Sequence, residues 1–162
     1  MDERSGARLS ECGTYRYNLW RSWDTHLPTM TFVMLNPSTA DHSINDPTIR
    51  RCMGFAGREG CGEISVVNLF AFRTKSPKVL AEQIDAGIDP FGPGHNDFMT
   101  VALSQPNGPV VAAWGASPLA ALALHKMPDM ELVCLGVTKS GAPRHPLYVK
   151  SDQPLLPWPS DE

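Results

Sequence analysis

The sequence predicts an α/β protein: a three-layer α/β/α sandwich around a four-stranded, mostly parallel central sheet, with an N-terminal edge strand or hairpin. Two observations carry this expectation. Four short apolar runs, at residues 31–35, 64–73, 110–115 and 132–135, are too continuously apolar for half-exposed hairpins and read as strands buried on both faces. The three segments between these four runs carry Asp46-Pro47, Ser76-Pro77 and Ser117-Pro118, each a capping residue followed by a proline at the first helical position. Strands alternating with helices make a parallel sheet the natural arrangement.

A chain of 162 residues with 42% hydrophobic content fits a single domain spanning residues 1–162, large enough to bury a core without metals or disulfides. Fifteen prolines and thirteen glycines predict sharply turned connections. The formal net charge of -3 argues against wholesale coating of nucleic acid, though not against a local basic face. Cys12, Cys52, Cys61 and Cys134 lack paired spacing and have no histidine at zinc-finger distance, so reduced thiols, no metal and no cofactor are expected. The first residues lack the apolar core of a signal peptide, and no apolar run approaches the ~20 residues of a membrane helix. A cytoplasmic protein with no membrane partner is the expectation.

In chain order, residues 1–10 are polar and read as flexible. Tyr15, Tyr17 and Leu19 alternate as one face of an antiparallel edge strand, with Arg16 and Arg21 snorkelling between aromatics or stacking on bases. The strand at 31–35 stops at Asn36-Pro37-Ser38. The helix opened by Asp46 carries Ile49, Cys52, Met53 and Ala56 on one face and stops at Gly60 or Gly62, which leaves Arg50, Arg51 and Arg58 off that face. The strand at 64–73 has Asn68 inside it, a residue that must find hydrogen-bond partners or face a cavity. Ser76 opens a second helix with Val79, Leu80 and Ile84 inward, ending near Gly87. In the loop before the next helix, Asn96 and Asp97 serve as caps. Ser117-Pro118 starts a helix through Leu119, Leu122 and Ala123. The proline-rich tail at 150–162 is expected to strap irregularly across the body, burying Leu156 and Trp158.

Parallel topology sends all four strand ends to one rim, where open α/β folds bind ligands. Asn36, Asn68, Gly115 and the segment around His145 therefore converge in this reading. P-loop, dinucleotide-binding, nucleophile-elbow and zincin motifs are absent.

Five strings carry a resemblance: Leu35-Asn36-Pro37-Ser38-Thr39-Ala40-Asp41, Asp46-Pro47-Thr48-Ile49-Arg50-Arg51, Val67-Asn68-Leu69-Phe70-Ala71, Ala113-Trp114-Gly115 and Pro143-Arg144-His145-Pro146-Leu147-Tyr148. Together they resemble a bacterial and phage family catalogued as domain of unknown function 1643. The order of motifs is also similar, more distantly, to the uracil-DNA glycosylase superfamily, whose mismatch-specific branch has Gly-Ile-Asn-Pro-Gly after its first strand and His-Pro-Ser after its last. That second resemblance implies a glycosylase-like fold in which Asn36 positions the attacking water, His145 stabilises the departing base and Asn68 reads the base edge. It extends a substrate-binding role to Pro37, Ser38, Thr39, Asp41, Phe70 and Arg144. Arg50, Arg51 and Lys139 become candidate phosphate contacts. Leu147 stands where the resemblance expects serine, and Phe55, Phe70 and Phe72 are the candidate stacking aromatics. Three functions follow: hydrolysis of an N-glycosidic bond in a modified or damaged base, recognition of a nucleotide or nucleic acid without cleavage, or another small-molecule reaction at the same rim.

Overall fold

The computed structural model describes residues 4–38 and 44–159, and among them the chain forms seven strands and three α-helices. In order these are β1 (Arg4–Leu9), β2 (Arg16–Ser22), β3 (Thr29–Met34), α1 (Pro47–Arg58), β4 (Glu63–Asn68), α2 (Pro77–Asp85), α3 (His95–Leu103), β5 (Val110–Ala112), β6 (Leu132–Cys134) and β7 (Leu156–Trp158). All strands join one sheet in the order β1-β2-β4-β3-β5-β6-β7. The α/β class stands. The expected four-stranded sheet is corrected to a mixed seven-stranded one, with the four apolar runs as its parallel centre, β4-β3-β5-β6, and antiparallel strands added at both edges.

Sheet alternation sorts the core into two halves. Met30, Phe32 and Met34 of β3 pack with Ile64, Val66 and Leu19 against Ile49, Cys52, Phe55 and Ala56 of α1. Val33 and Leu35 pack with Val67, Leu69 and Ala112 against Leu80 of α2 and Met99 and Leu103 of α3. Each fully buried Val, Leu, Ile or Phe contributes about 1.5–3 kcal/mol, so both faces of the centre must be covered.

α1 and α2 start where the Asp46-Pro47 and Ser76-Pro77 pairs place them: Asp46 accepts from the Ile49 amide, and Ser76 accepts from the Lys78 amide. Other expectations are corrected. Val79 is exposed, with Leu80 carrying the inward contact of α2. α3 begins at His95 behind Gly94 with no side-chain cap, so Asn96 and Asp97 do not cap it. The segment after Ser117 is a 3-10 helix, Pro118–Leu122, with Leu122 exposed. The tail is regular over β7, which pairs antiparallel with β6; Trp158 packs edge to face on Trp114, while Leu156 stays exposed. Residues 4–9 are not flexible polar chain but the edge strand β1, so β2 lies inside the sheet rather than at its edge.

β2 does not keep the alternation of Tyr15, Tyr17 and Leu19. Arg8 pairs with Asn18 but Leu9 with Arg16, so Tyr17 is an extra residue opposite the β1 ladder, a β-bulge. Beyond it the faces exchange. Leu19 lies in the α1 half of the core, whereas Tyr17 stacks on Phe98 of α3 at 5.0 Å, and Arg16 takes the α1 side with Ile49 and Val66.

At the entry to β4, a Cβ added to Gly62 would stand 2.1 Å from the Asp24 carbonyl oxygen, while the Gly62 carbonyl accepts from the Trp23 and Asp24 amides. Gly62→Ala is therefore expected to lower stability by about 1–3 kcal/mol, read as a lower denaturant midpoint at unchanged slope. An unchanged midpoint would mean that this backbone approach can relax.

Candidate functional site

The parallel connections diverge around β3: the chain passes from β3 to β4 on one side and then crosses to β5 on the other. Such a switch point leaves a crevice outside the carboxyl ends of the strands. A cleft of about 370 Å³ lies there, lined among others by Asn36, Ser38, Asp46, Asn68, Trp114 and His145.

Asn36 follows β3 and binds two loops together. Its Nδ2 donates to the Thr74 carbonyl at 2.9 Å and to its neighbour Pro37 at 3.3 Å, while the Thr74 amide donates to the Pro37 carbonyl at 3.0 Å. With Nδ2 engaged, Oδ1 is the polar atom of the amide left to accept. Ser38 donates its hydroxyl to Asp46 Oδ2 at 2.5 Å, and Asp46 Oδ1 accepts from the Ile49 amide at 2.9 Å. The helix cap of α1 is thus also a carboxylate of the cleft.

Asn68 ends β4 and faces the α1 side, as Ile64 and Val66 do four and two residues before it. It is 3% exposed, and its Nδ2 has no hydrogen-bond partner among the described residues. Its main-chain carbonyl accepts from His95 Nε2 at 2.8 Å on the far side. Burial pushes the His95 imidazole below its ordinary value, which keeps that ring neutral.

His145 is placed by three backbone ties. The Gly115 amide after β5 donates to the Pro143 carbonyl at 2.8 Å, and Gly115 holds the left-handed turn, at φ +77°, that brings the chain beside the histidine. Arg51 of α1 donates to the carbonyls of Pro146 and Val149, which bracket the 3-10 turn Pro146–Tyr148. The Leu147 amide donates to His145 Nδ1 at 3.1 Å. A neutral ring that accepts at Nδ1 carries its proton on Nε2, so the free nitrogen is a donor. Burial lowers the imidazole below about 6.5, with Asp46 pulling the other way.

The cleft brings together Asn36, Ser38, Asn68 and His145 from the expected set. It leaves out the other candidates among the described residues. The Pro37 side chain is buried beside the cleft, and its carbonyl serves the loop ties. Phe70 is 1% exposed and stacks on Phe91 in the α2–α3 half of the core, Phe55 is buried under α1, and Phe72 packs edge to face on Tyr15, so none of these three is a stacking surface in the cleft. Arg51 is committed to carbonyls and lies over the Phe55 ring, Arg144 donates to the Val137 carbonyl, and Arg50 and Lys139 are exposed away from the lining. Thr39 and Asp41 lie outside the described residues.

Sequence reasoning placed Arg16 on an edge strand, snorkelling or stacking on bases, rather than in the cleft, and it missed Asp46 as a cleft carboxylate, Trp114 as a wall and Tyr148 at the rim. Trp114 had a signal in its Ala113-Trp114-Gly115 string; Arg16 had none, because the bulge that turns it inward leaves no trace in the alternation. Among the described residues no three His, Cys, Asp or Glu side chains are grouped as metal ligands, and no helix is long and apolar enough to cross a membrane.

Compared with known proteins, residues 16–147 match the family model described as "Protein of unknown function (DUF1643)". No curated protein and no solved structure matches the chain.

Two outcomes are expected. A group whose folded value is depressed contributes stability above its unfolded value and loses it as pH falls through the folded one. His145 should therefore titrate below 6.5 by NMR, and the fall in thermal midpoint between pH 7 and pH 5 should be smaller in His145→Gln. Arg51→Met should speed hydrogen exchange at Tyr148 and Val149 while α2 and α3 exchange as before; equal protection would show that the turn stands without the arginine.

Proposed function

The chain belongs to this family of proteins of unknown function, and we propose that its cleft hydrolyses the N-glycosidic bond of a modified or damaged base, in DNA or in a smaller nucleotide. The observation that carries the reading is the meeting of Asn36, Asn68 and His145 in one cleft at the switch point, although 32 and 77 residues separate them along the chain. The likeness to the uracil-DNA glycosylase superfamily rests on the Asn36 and His145 motifs, and with it goes the finer fold reading, a glycosylase-like sandwich whose core is the four parallel strands. A cytoplasmic setting belongs to the same proposal.

The chemistry follows from the donors and acceptors. Asn36 Oδ1 accepts a hydrogen bond from a water and aims it at the sugar carbon. The C–N bond breaks with its electron pair going to the base. His145, neutral and with Nε2–H available, donates to a base oxygen on which negative charge grows, a placement worth about 2.7–4 kcal/mol of barrier when preorganised. The attacking water loses a proton, and Asp46 is the one carboxylate among the described lining residues that can take it. Asn68 Nδ2 donates to an acceptor on the base edge, and Trp114, 4% exposed, forms a wall.

A second reading, binding without cleavage, is favoured by Leu147 in place of the expected serine and by Tyr148, which is 77% exposed at the rim. An assay for abasic sites or released base, on oligonucleotides and nucleotides carrying a panel of modified bases, separates the two. Release is expected from wild type, with Asn36→Ala and His145→Gln slower by about a hundredfold or more while still binding. Salt-sensitive binding without product, equally tight in Asn36→Ala, would instead identify a binding module.

A further inference from the structure

We infer that Trp158, on the C-terminal strand β7, is a positioning residue of the cleft: its ring fixes the Trp114 wall and its indole N–H fixes the turn that leads to His145. This rests on reading the cleft as the ligand site, not on bond cleavage there.

β7 presents one inward side chain. Leu156 and Pro157 are exposed, while Trp158, paired opposite Leu132 of β6, is half-buried against the α2–α3 half of the core. A residue kept there for apolar area alone would need no particular direction of contact. Two contacts of Trp158 are directional, and both reach the site. Its ring meets Trp114 edge to face, with centroids 4.9 Å apart and planes at 87°, an arrangement that the charge distribution of aromatic rings favours. Its Nε1 donates to the Gly141 carbonyl at 3.2 Å.

The two contacts act on one joint. Trp114 precedes Gly115, whose amide donates to the Pro143 carbonyl at 2.8 Å, and Pro143 stands two residues before His145. Gly141 stands two residues before Pro143, in a turn closed by the Gly141 amide on the Thr138 carbonyl and by the bridge between Val137 and Pro143. Trp158 therefore grips both pieces of chain that meet at the Gly115–Pro143 hydrogen bond. One of them carries the wall and the other carries the histidine. Across that joint a Cβ built on Gly115 would stand 3.8 Å from the His145 Cβ, so a shift of the Trp114 segment reaches the imidazole.

On its other side Trp158 lines a groove of about 950 Å³ together with Leu103, Met130, Leu132 and Leu155. Trp114 lines the cleft but not this groove, and Trp158 lines the groove but not the cleft, so Trp158 is the partition between them. Without its ring, Trp114 loses the neighbour at packing distance and gains room to tilt away from the cleft. Trp114 and His145 fall within residues 16–147, the stretch matched to the family model, whereas Trp158 lies beyond it. The cleft of this chain is thus braced by an element outside the matched stretch.

The test is native-state hydrogen exchange of the whole chain, followed by NMR, in wild type, Trp158→Leu, Trp158→Phe and Leu156→Ser, joined to kinetics of base release on the panel of modified nucleotides and oligonucleotides. Trp158→Leu should speed exchange at the Gly115 and Leu147 amides by about tenfold, while the amides of β3 and α1 keep their wild-type rates. Trp158→Phe, which retains a ring but not the N–H, should keep Gly115 protected and speed exchange at Gly141 and Leu147. Leu156→Ser, on the same strand but turned to solvent, should leave these amides as they are. Where base is released, Trp158→Leu should raise KM and lower kcat, each by about tenfold, and Trp158→Phe should lower kcat alone, because the wall holds the base whereas the histidine acts in the transition state. Unchanged exchange at Gly115 and Leu147 in Trp158→Leu, or acceleration of the β3 and α1 amides by the same factor, would overturn the inference and make Trp158 a packing residue. The same local acceleration in Leu156→Ser, or wild-type KM and kcat in Trp158→Leu, would overturn it as well. Local acceleration in Trp158→Leu with no base release from wild type or any variant supports the inference and sinks only the hydrolytic reading.

Discussion

β3 is hydrogen-bonded along both edges, to β4 through the register Thr29↔Glu63 to Met34↔Asn68 and to β5 through Thr31↔Val110 to Val33↔Ala112, and it is covered on both faces. Phe32 and Val33 are wholly buried on opposite sides. A strand so enclosed has one way out, through its carboxyl end. Because both parallel neighbours point the same way, their ends open beside it, and the connection that reverses from β4 to β5 leaves that spot uncovered. The cleft, the loop ties of Asn36 and the position of Asn68 all depend on this pairing.

The polar groups at the cleft arrive there through ordinary local devices. Asp46 is a helix cap, His145 caps a 3-10 turn, and Arg16 is turned by a bulge. Each device places its side chain at the opening, and the two caps also satisfy local backbone amides. Asn68 makes the contrast sharpest, since His95 serves its main-chain carbonyl while its Nδ2 is buried without a partner among the described residues. An unmet buried donor costs about 1–3 kcal/mol, and a ligand acceptor is the natural compensation.

Strong punctuation was legible in the residues. The Asp46-Pro47 and Ser76-Pro77 pairs locate α1 and α2, and Ile49, Cys52 and Ala56 mark the buried face of α1. The four apolar runs mark the parallel centre. β1 and β7 escaped because Arg4–Leu9 is polar and contains glycine, and Leu156–Trp158 contains a proline that only an edge accommodates. Within the site, Asn36, Ser38, Asn68 and His145 were readable as polar residues at strand ends. Phe70 misled because a strand's period does not say which of two buried faces meets the ligand. Arg51 misled because its charge is spent on carbonyls almost a hundred residues away.

By itself the sequence determined the α/β class, the starts of α1 and α2 and the strand ends that carry polar groups, since these follow from short-range rules of capping, proline geometry and apolar run length. Tertiary structure alone decided which groups share the cleft and in what chemical state. Strand order, the Tyr17 bulge and burial are properties of residues brought together from distant parts of the chain. They turn Arg16 inward, strip Asn68 of water and hold His145 as a neutral donor.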